Sequence, residues 1–186
     1  AEAFILGEKF IGDDNVCLIL GDNLFYGNNI KELLSKCLKN LQNNLCTIIG
    51  YEVDDPQRFG VVEFDKNKEV LSIEEKPKKP KSNYAVTGLY YYTNDVISIS
   101  KNLKPSKRGE LEITDINNIY VEKNKMLIEM MDSKSYKWLD SGTFTALHES
   151  SEFIMKTQLN IKKQIALLDE IAFLNGFIDK DGLKNN

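Results

Sequence analysis

The chain has 186 residues, enough for one domain or most of one, and 42% hydrophobic with 28% charged residues is the make-up of a soluble globular protein. A net charge of −4 excludes a general nucleic-acid binder, which carries a basic face, but leaves room for a small phosphorylated ligand held by a few lysines. No apolar run reaches membrane-span length, and Cys17, Cys37 and Cys46, an odd set without CxxC spacing, read as reduced thiols of a cytoplasmic protein.

Ala3, Phe4, Leu6, Gly7, Phe10 and Ile11 fall near helical spacing, so residues 2–11 read as a helix. Charges at Glu2, Glu8 and Lys9 set this segment apart from a signal peptide. The chain starts at Ala1 inside that helical pattern and stops abruptly at "DGLKNN", so it is expected to be cut from a longer protein at both ends. Val16-Cys17-Leu18-Ile19-Leu20 reads as a buried strand that ends at Gly21-Asp22-Asn23. A helix is expected over about 29–42, capped by Asn28 or Asn29, with Ile30, Leu33, Leu34, Cys37, Leu38 and Leu41 as its apolar face. "CTIIGYEV" (46–53) is the next buried strand, and this strand–helix–strand order favours an α/β sheet.

Three strand-like runs follow, "GVVEFD", "EVLSIEEK" and "NYAVTGLYYY". Helices are predicted near 94–102 and 112–123, and "MLIEMM" (126–131) and "YKWLD" (136–140) read as extended. "TALHESSEFIMKTQL" and a short stretch near 169–174 read as helices, which makes 143–186 a C-terminal helical part.

Ligands bind open α/β sheets outside the carboxyl ends of the strands, where Asp22 would stand; the other role for an Asp or Asn there is to hold a turn. "KWLDSG" repeats the design: Asp140 follows apolar Trp138 and Leu139, and could instead cap the helix near Thr143. Two aspartates at two strand ends suit Mg²⁺, which takes a few hard oxygen ligands and keeps water and phosphate as the rest. In "SIEEKP", counting by two puts Leu71, Ile73 and Glu75 on one face, where a carboxylate needs a partner such as a sugar hydroxyl. Lys76 would point the other way, held extended by Pro77, and the whole stretch could equally be an exposed charged strand end. Gly60, beside Phe59, and Gly88 mark either a close approach by a ligand or backbone, or a bulge. Arg108 in "KRGELEIT" precedes a predicted helix and suits phosphate recognition or plain surface exposure. A single His, and the absence of GxGxxG and GxxxxGK[ST], give no support to a His-based triad, a dinucleotide site or a P-loop.

Taken in order, "LILGDNLFYG", "DPQRFGVVEFD", "IEEKPKKPKSNYAVTGLYYY", "LKPSKRGELEITDIN" and "WLDSGTF" resemble the glucose-1-phosphate thymidylyltransferases among the sugar nucleotidyltransferases, over nearly the whole chain. The resemblance implies an α/β fold with a Rossmann-like mixed sheet flanked by helices, the nucleotide-diphospho-sugar transferase fold, and one nucleotidyltransferase domain over 1–186. It implies the reaction of dTTP with glucose 1-phosphate to dTDP-glucose and pyrophosphate, Mg²⁺-dependent, feeding dTDP-rhamnose and other deoxysugar synthesis, in a cytoplasmic homotetramer. Asp22 and Asp140 would be the Mg²⁺ ligands. Asn23 and Gly60 would contact the sugar nucleotide, Glu75 and the Val86 backbone the glucose hydroxyls, Lys76 and Arg108 the sugar phosphate, and Trp138 would pack near the sugar. Phe59 stands where relatives often carry Tyr, so a hydroxyl contact is lost. The family's "GxGTRL" loop, a further catalytic Lys and much of the base pocket would precede Ala1, so the chain by itself is expected to be inactive. The rival readings are a relative that uses another nucleotide, and a non-catalytic sugar-nucleotide-binding or oligomerisation module.

Overall fold

The computed structural model describes residues 1–185. Two short helices, α1 (Glu2–Leu6) and α2 (Glu8–Ile11), stand where one was expected, and Gly7 separates them. β1 (Val16–Ile19), β2 (Asn23–Gly27), α3 (Ile30–Gln42) and β3 (Cys46–Glu52) follow, and Pro56–Arg58 form one 3-10 turn. β4 (Gly60–Phe64), β5 (Val70–Glu75), β6 (Tyr84–Tyr92), α4 (Val96–Asn102) and α5 (Ile113–Glu122) come next. The remaining elements are β7 (Met126–Met131), β8 (Tyr136–Asp140), α6 (Phe144–Ile161), α7 (Leu168–Leu174) and α8 (Lys180–Asn185). β2, the 3-10 turn and α8 were not expected from the sequence. Among the described residues no helix is long and apolar enough to cross a membrane.

The chain divides into two compact units, Ala1–Leu139 and Asp140–Asn186. The first is built on a mixed sheet of order β5-β4-β6-β3-β7, with β1 also paired to β6. β6 is its central strand: antiparallel to β3, β4 and β1. β1 and β3 therefore run parallel to each other with β6 between them, and β3 pairs parallel with β7. β6 is apolar almost throughout because both of its faces are covered. Val86, Tyr90 and Tyr92 enter one core with Phe4, Ile48 and Ile116; Ala85, Leu89 and Tyr91 enter another with Leu33, Cys37 and Trp138.

Two apolar strand patterns resolve differently from the expectation, and Leu38 of the α3 face is 52% exposed. No residue of 16–20 is fully buried, and Ile19 is 56% exposed. β1 turns Val16 and Leu18 to the core, while Cys17 and Ile19 line an open apolar groove with Leu24, Phe25, Leu34 and Tyr91. Nor does Leu71 share the face of Ile73: it is 53% exposed. The register of β4 with β5 slips between Ser72, opposite Glu63, and Val70, opposite Phe64, so a bulge at Leu71 breaks the count by two.

In the second unit α6 starts at Thr143, whose Oγ1 accepts the Ala146 amide at 3.2 Å. The N-cap is Thr143, three residues beyond Asp140. α6 ends on Lys162 in the left-handed conformation (φ 52°).

Candidate active site

The ladder of β1 continues one residue further, with the Leu20 amide on the Gly88 carbonyl at 2.8 Å. The chain then turns through Gly21 and Asp22, leaving Asp22 exposed and Asn23 only 7% exposed. Asn23 is a junction. Its Oδ1 accepts the Gly88 amide at 2.9 Å and the Trp138 indole N–H at 2.6 Å, and its Nδ2 donates to Asp22 Oδ1 at 2.9 Å. One amide thus joins β2, β6 and β8 and holds the carboxylate beside it.

Gly88 makes this possible. The register of β6 with β3 passes from Tyr90 opposite Ile48 to Val86 opposite Gly50, so Thr87, Gly88 and Leu89 share one residue, Ile49. A Cβ at Gly88 would lie 2.6 Å from Asn23 Cγ and Oδ1. The bulge reading of this glycine holds, and the close approach is made by a side chain, that of Asn23, rather than by a ligand or another backbone.

Trp138 packs on Phe59 (centroids 5.1 Å apart) and edge-on to Tyr51 (5.8 Å). Gly60, next to Phe59, lies opposite Glu75 in the β4–β5 pair. Glu75 Oε2 accepts the hydroxyl of Thr114 from the first turn of α5 at 2.9 Å. The Gly60 Cα packs close above this pair: a Cβ there would be in van der Waals contact with Glu75 Oε2 at 3.4 Å and Thr114 Oγ1 at 3.6 Å. Val86, on β6, is buried and pairs with Gly50.

Lys76 is not extended. Its φ is 46°, and its amide donates to the Phe59 carbonyl at 3.0 Å. That bond closes the strand end and outweighs the extended preference that Pro77 imposes. The left-handed turn brings the ammonium back toward Glu75 Oε1, at 3.8 Å.

Arg108 sits on a tight loop. Gly109, at φ 78°, lets the chain fold back, with the Gly109 amide on Ser106 O at 2.9 Å and the Ser106 amide on Glu110 O at 2.8 Å. The Arg108 guanidinium donates from Nε and Nη2 to the two Glu112 oxygens, both at 3.1 Å, and from Nη2 to Glu110 at 2.9 Å. Burial pushes the Glu112 carboxyl up, but hydrogen bonds from Ser106 and Arg108 and the charges of Arg108 and Lys76 hold it below the usual range. Burial raises the Tyr90 phenol strongly, and the charges of Glu75 and Asp22 add to this.

One cluster thus contains Asn23, Phe59 and Trp138; a second contains Gly60, Glu75 and Lys76; Arg108 is engaged with Glu112. Asp140 is a half-buried residue of the second unit, two positions after Trp138. Among the described residues no group of three or more His, Cys, Asp or Glu could hold a metal ion. Sequence reasoning missed Thr114, Tyr90 and Glu112. The Arg108–Glu112 spacing of four was the one visible signal, and Thr114 had none beyond its place at a helix start.

The chain matches the family model for nucleotidyl transferases over residues 1–157. It belongs to the nucleotidyl transferase family. The chain is 49% identical over 180 residues to a glucose-1-phosphate thymidylyltransferase of Neisseria gonorrhoeae, covering 97% of the chain and 62% of the relative. It is 44% identical over 184 residues to the protein of that name from Xanthomonas campestris pv. campestris strain B100, covering 99% and 61%. The chain spans about three-fifths of the length of these curated relatives. Its fold matches a crystal structure described as a glucose-1-phosphate thymidylyltransferase from Bacillus anthracis in complex with sucrose (TM-score 0.71, 42% identity, 82% of this chain and 59% of that one). It also matches a UDP-glucose pyrophosphorylase complexed with UDP-glucose (TM-score 0.71, 26% identity, 83% and 61%).

Proposed function

We propose that the protein transfers a thymidylyl group from dTTP to glucose 1-phosphate, releasing pyrophosphate and forming dTDP-glucose. The observation that carries this is the identity of 44–49% to glucose-1-phosphate thymidylyltransferases along almost the whole chain. The Gly60–Glu75–Thr114 corner supports it chemically: a half-buried carboxylate beside a residue without a side chain suits a sugar hydroxyl.

The nucleophile in this reading is a phosphate oxygen of the sugar phosphate, whose second pKa is about 6, so no general base is required. Lys76 and Arg108 hold that phosphate and offset the repulsion between two anionic reactants. Glu75 orients the sugar through its hydroxyls, helped by the Val86 backbone. Trp138, fixed by Asn23, walls the sugar side, and Phe59 supports its ring. Catalysis is then positioning and charge neutralisation.

Asp22 and Asp140 fit Mg²⁺ by donor type, both being hard carboxylates. Asp22 is exposed and gives one oxygen to Asn23, which leaves the other available. Mg²⁺ would neutralise charge on the triphosphate. The reading includes self-association, which the exposed Phe144, Leu147, Leu168 and Leu174 of the second unit suit, and a cytoplasmic site of action.

The test is pyrophosphate release by the full-length protein from glucose 1-phosphate and each of dTTP, UTP, CTP and ATP. The expected result is preference for dTTP, with turnover dependent on Mg²⁺. Turnover retained in both Asp22→Asn and Asp140→Asn would refute their role as metal ligands, and preference for UTP would refute the choice of nucleotide.

A further inference from the structure

Arg108 carries five N–H donors, four of them on two edges: Nε with one N–H of Nη2 along the side, and one N–H of Nη1 with the second N–H of Nη2 at the end. Glu112 takes the side edge with both oxygens. Its carboxylate is itself fixed by the Ser106 hydroxyl at 2.7 Å, and the same hydroxyl accepts the Arg108 amide at 3.1 Å. The Glu112 side chain is 13% exposed; that of Glu110, which touches only Nη2, is 67% exposed. Among the described residues Nη1 has no hydrogen-bond partner. The two glutamates therefore differ in kind: one is built in at the side edge, and the other lies loosely across the end edge.

We propose that Glu112 is the positioning residue of the sugar-phosphate site: it locks the side edge of Arg108 so that the end edge meets the phosphate, with Glu110 the contact that gives way. The inference rests on the assignment of Lys76 and Arg108 to the sugar phosphate. The electrostatics agree with it, since both the Arg108 and the Lys76 charges act on the Glu112 carboxyl and Glu75 acts on Arg108. Glu112 thus feels the charge of both cations that the reading assigns to the phosphate. A phosphate dianion that takes the end edge loses nothing to Glu112, because the edges are separate, and replaces only an exposed pair of small worth.

The experiment measures KM for glucose 1-phosphate and for dTTP, with kcat, in the full-length protein and its variants. Glu112→Gln keeps the shape and removes the charge. It is expected to raise KM for glucose 1-phosphate on the order of tenfold and leave KM for dTTP unchanged, and Glu112→Asp to recover part of the loss. Glu110→Gln is expected to lower KM for glucose 1-phosphate, roughly up to fivefold. Thermal unfolding of each variant separates a lost fold from a lost orientation, and if Glu112→Gln unfolds, the Asp variant and Ser106→Ala carry the same test. If Arg108→Ala raises KM but Glu112→Gln leaves it unchanged or lowers it, the positioning role is overturned and the site assignment stands. If Arg108→Ala and Lys76→Ala leave KM unchanged, the site assignment falls and takes this inference with it.

Discussion

Asn23 uses the two ends of one amide on three partners, and two of those are buried donors. Truncation to Ala leaves the Gly88 amide and the Trp138 indole N–H without an acceptor. Each unmet buried donor costs about 1–3 kcal/mol, so Asn23→Ala should lower stability by about 2–6 kcal/mol, read from urea unfolding. Gly88→Ala should act on the same junction from the other side. Its new Cβ would overlap the Asn23 amide, at a cost of about 1–3 kcal/mol from forced repacking. The two effects should be strongly non-additive, because each variant breaks the same contact. A double-mutant cycle that sums to the single losses would disprove the junction. The sequence made the importance of Gly88 legible, since glycine inside a strand is anomalous. It did not make its partner legible, because Asn23 is 65 residues away and its role depends on a two-residue excess in β6 that has no composition signature.

At the scale of elements, α5 fastens the edge of the sheet. Asn118 accepts the Ile73 amide at 3.0 Å and donates to the Ile73 carbonyl at 2.9 Å, so its side chain stands where a further strand would pair. Thr114, one turn earlier, holds Glu75. Asn118→Ala should therefore speed hydrogen exchange of the Ile73 amide and lower stability by about 1–2 kcal/mol, leaving β6 protection unchanged. Protection of Ile73 in that variant would exclude the clamp. In the second unit, Lys162 ends α6 at positive φ, where a β-carbon is unfavourable. Lys162→Gly should stabilise that unit by about 1 kcal/mol, measured as a rise in its Tm. Most elements were legible from periodicity alone, β1 among them. β2 was not, because it begins within a Gly-Asp-Asn turn signal; for β1 only the half-open environment escaped, because its sequence is apolar throughout. Lys76 escaped because a single tertiary hydrogen bond overrode a local preference.

For the molecule as a whole, acid is the sensitive direction. Burial raises the Asp95 carboxyl, but hydrogen bonds from Thr93 and Tyr120 and the charge of Lys123 leave it below its ordinary value. A carboxyl depressed in the folded state adds stability above its unfolded pKa, near 4, and loses it as pH falls through the folded value. Stability should therefore decline below about pH 4, and Asp95→Asn should flatten that acid limb of a Tm–pH profile. An unchanged slope would remove Asp95 as a contributor. The family and the general sheet architecture were legible because they rest on long runs of sequence. The positions of individual charges were not, because they rest on contacts between distant segments. The indole contact of Asn23 has one more consequence. Trp138 is the chain's single tryptophan, and its ring N–H is tied to a residue 115 positions away. Its fluorescence is thus a reporter of one event, the closing of that long loop, which the slow growth of distant pairings places late in folding. A stopped-flow refolding trace at tryptophan emission would time the docking of the Trp138 ring, separately from the earlier gain of helix.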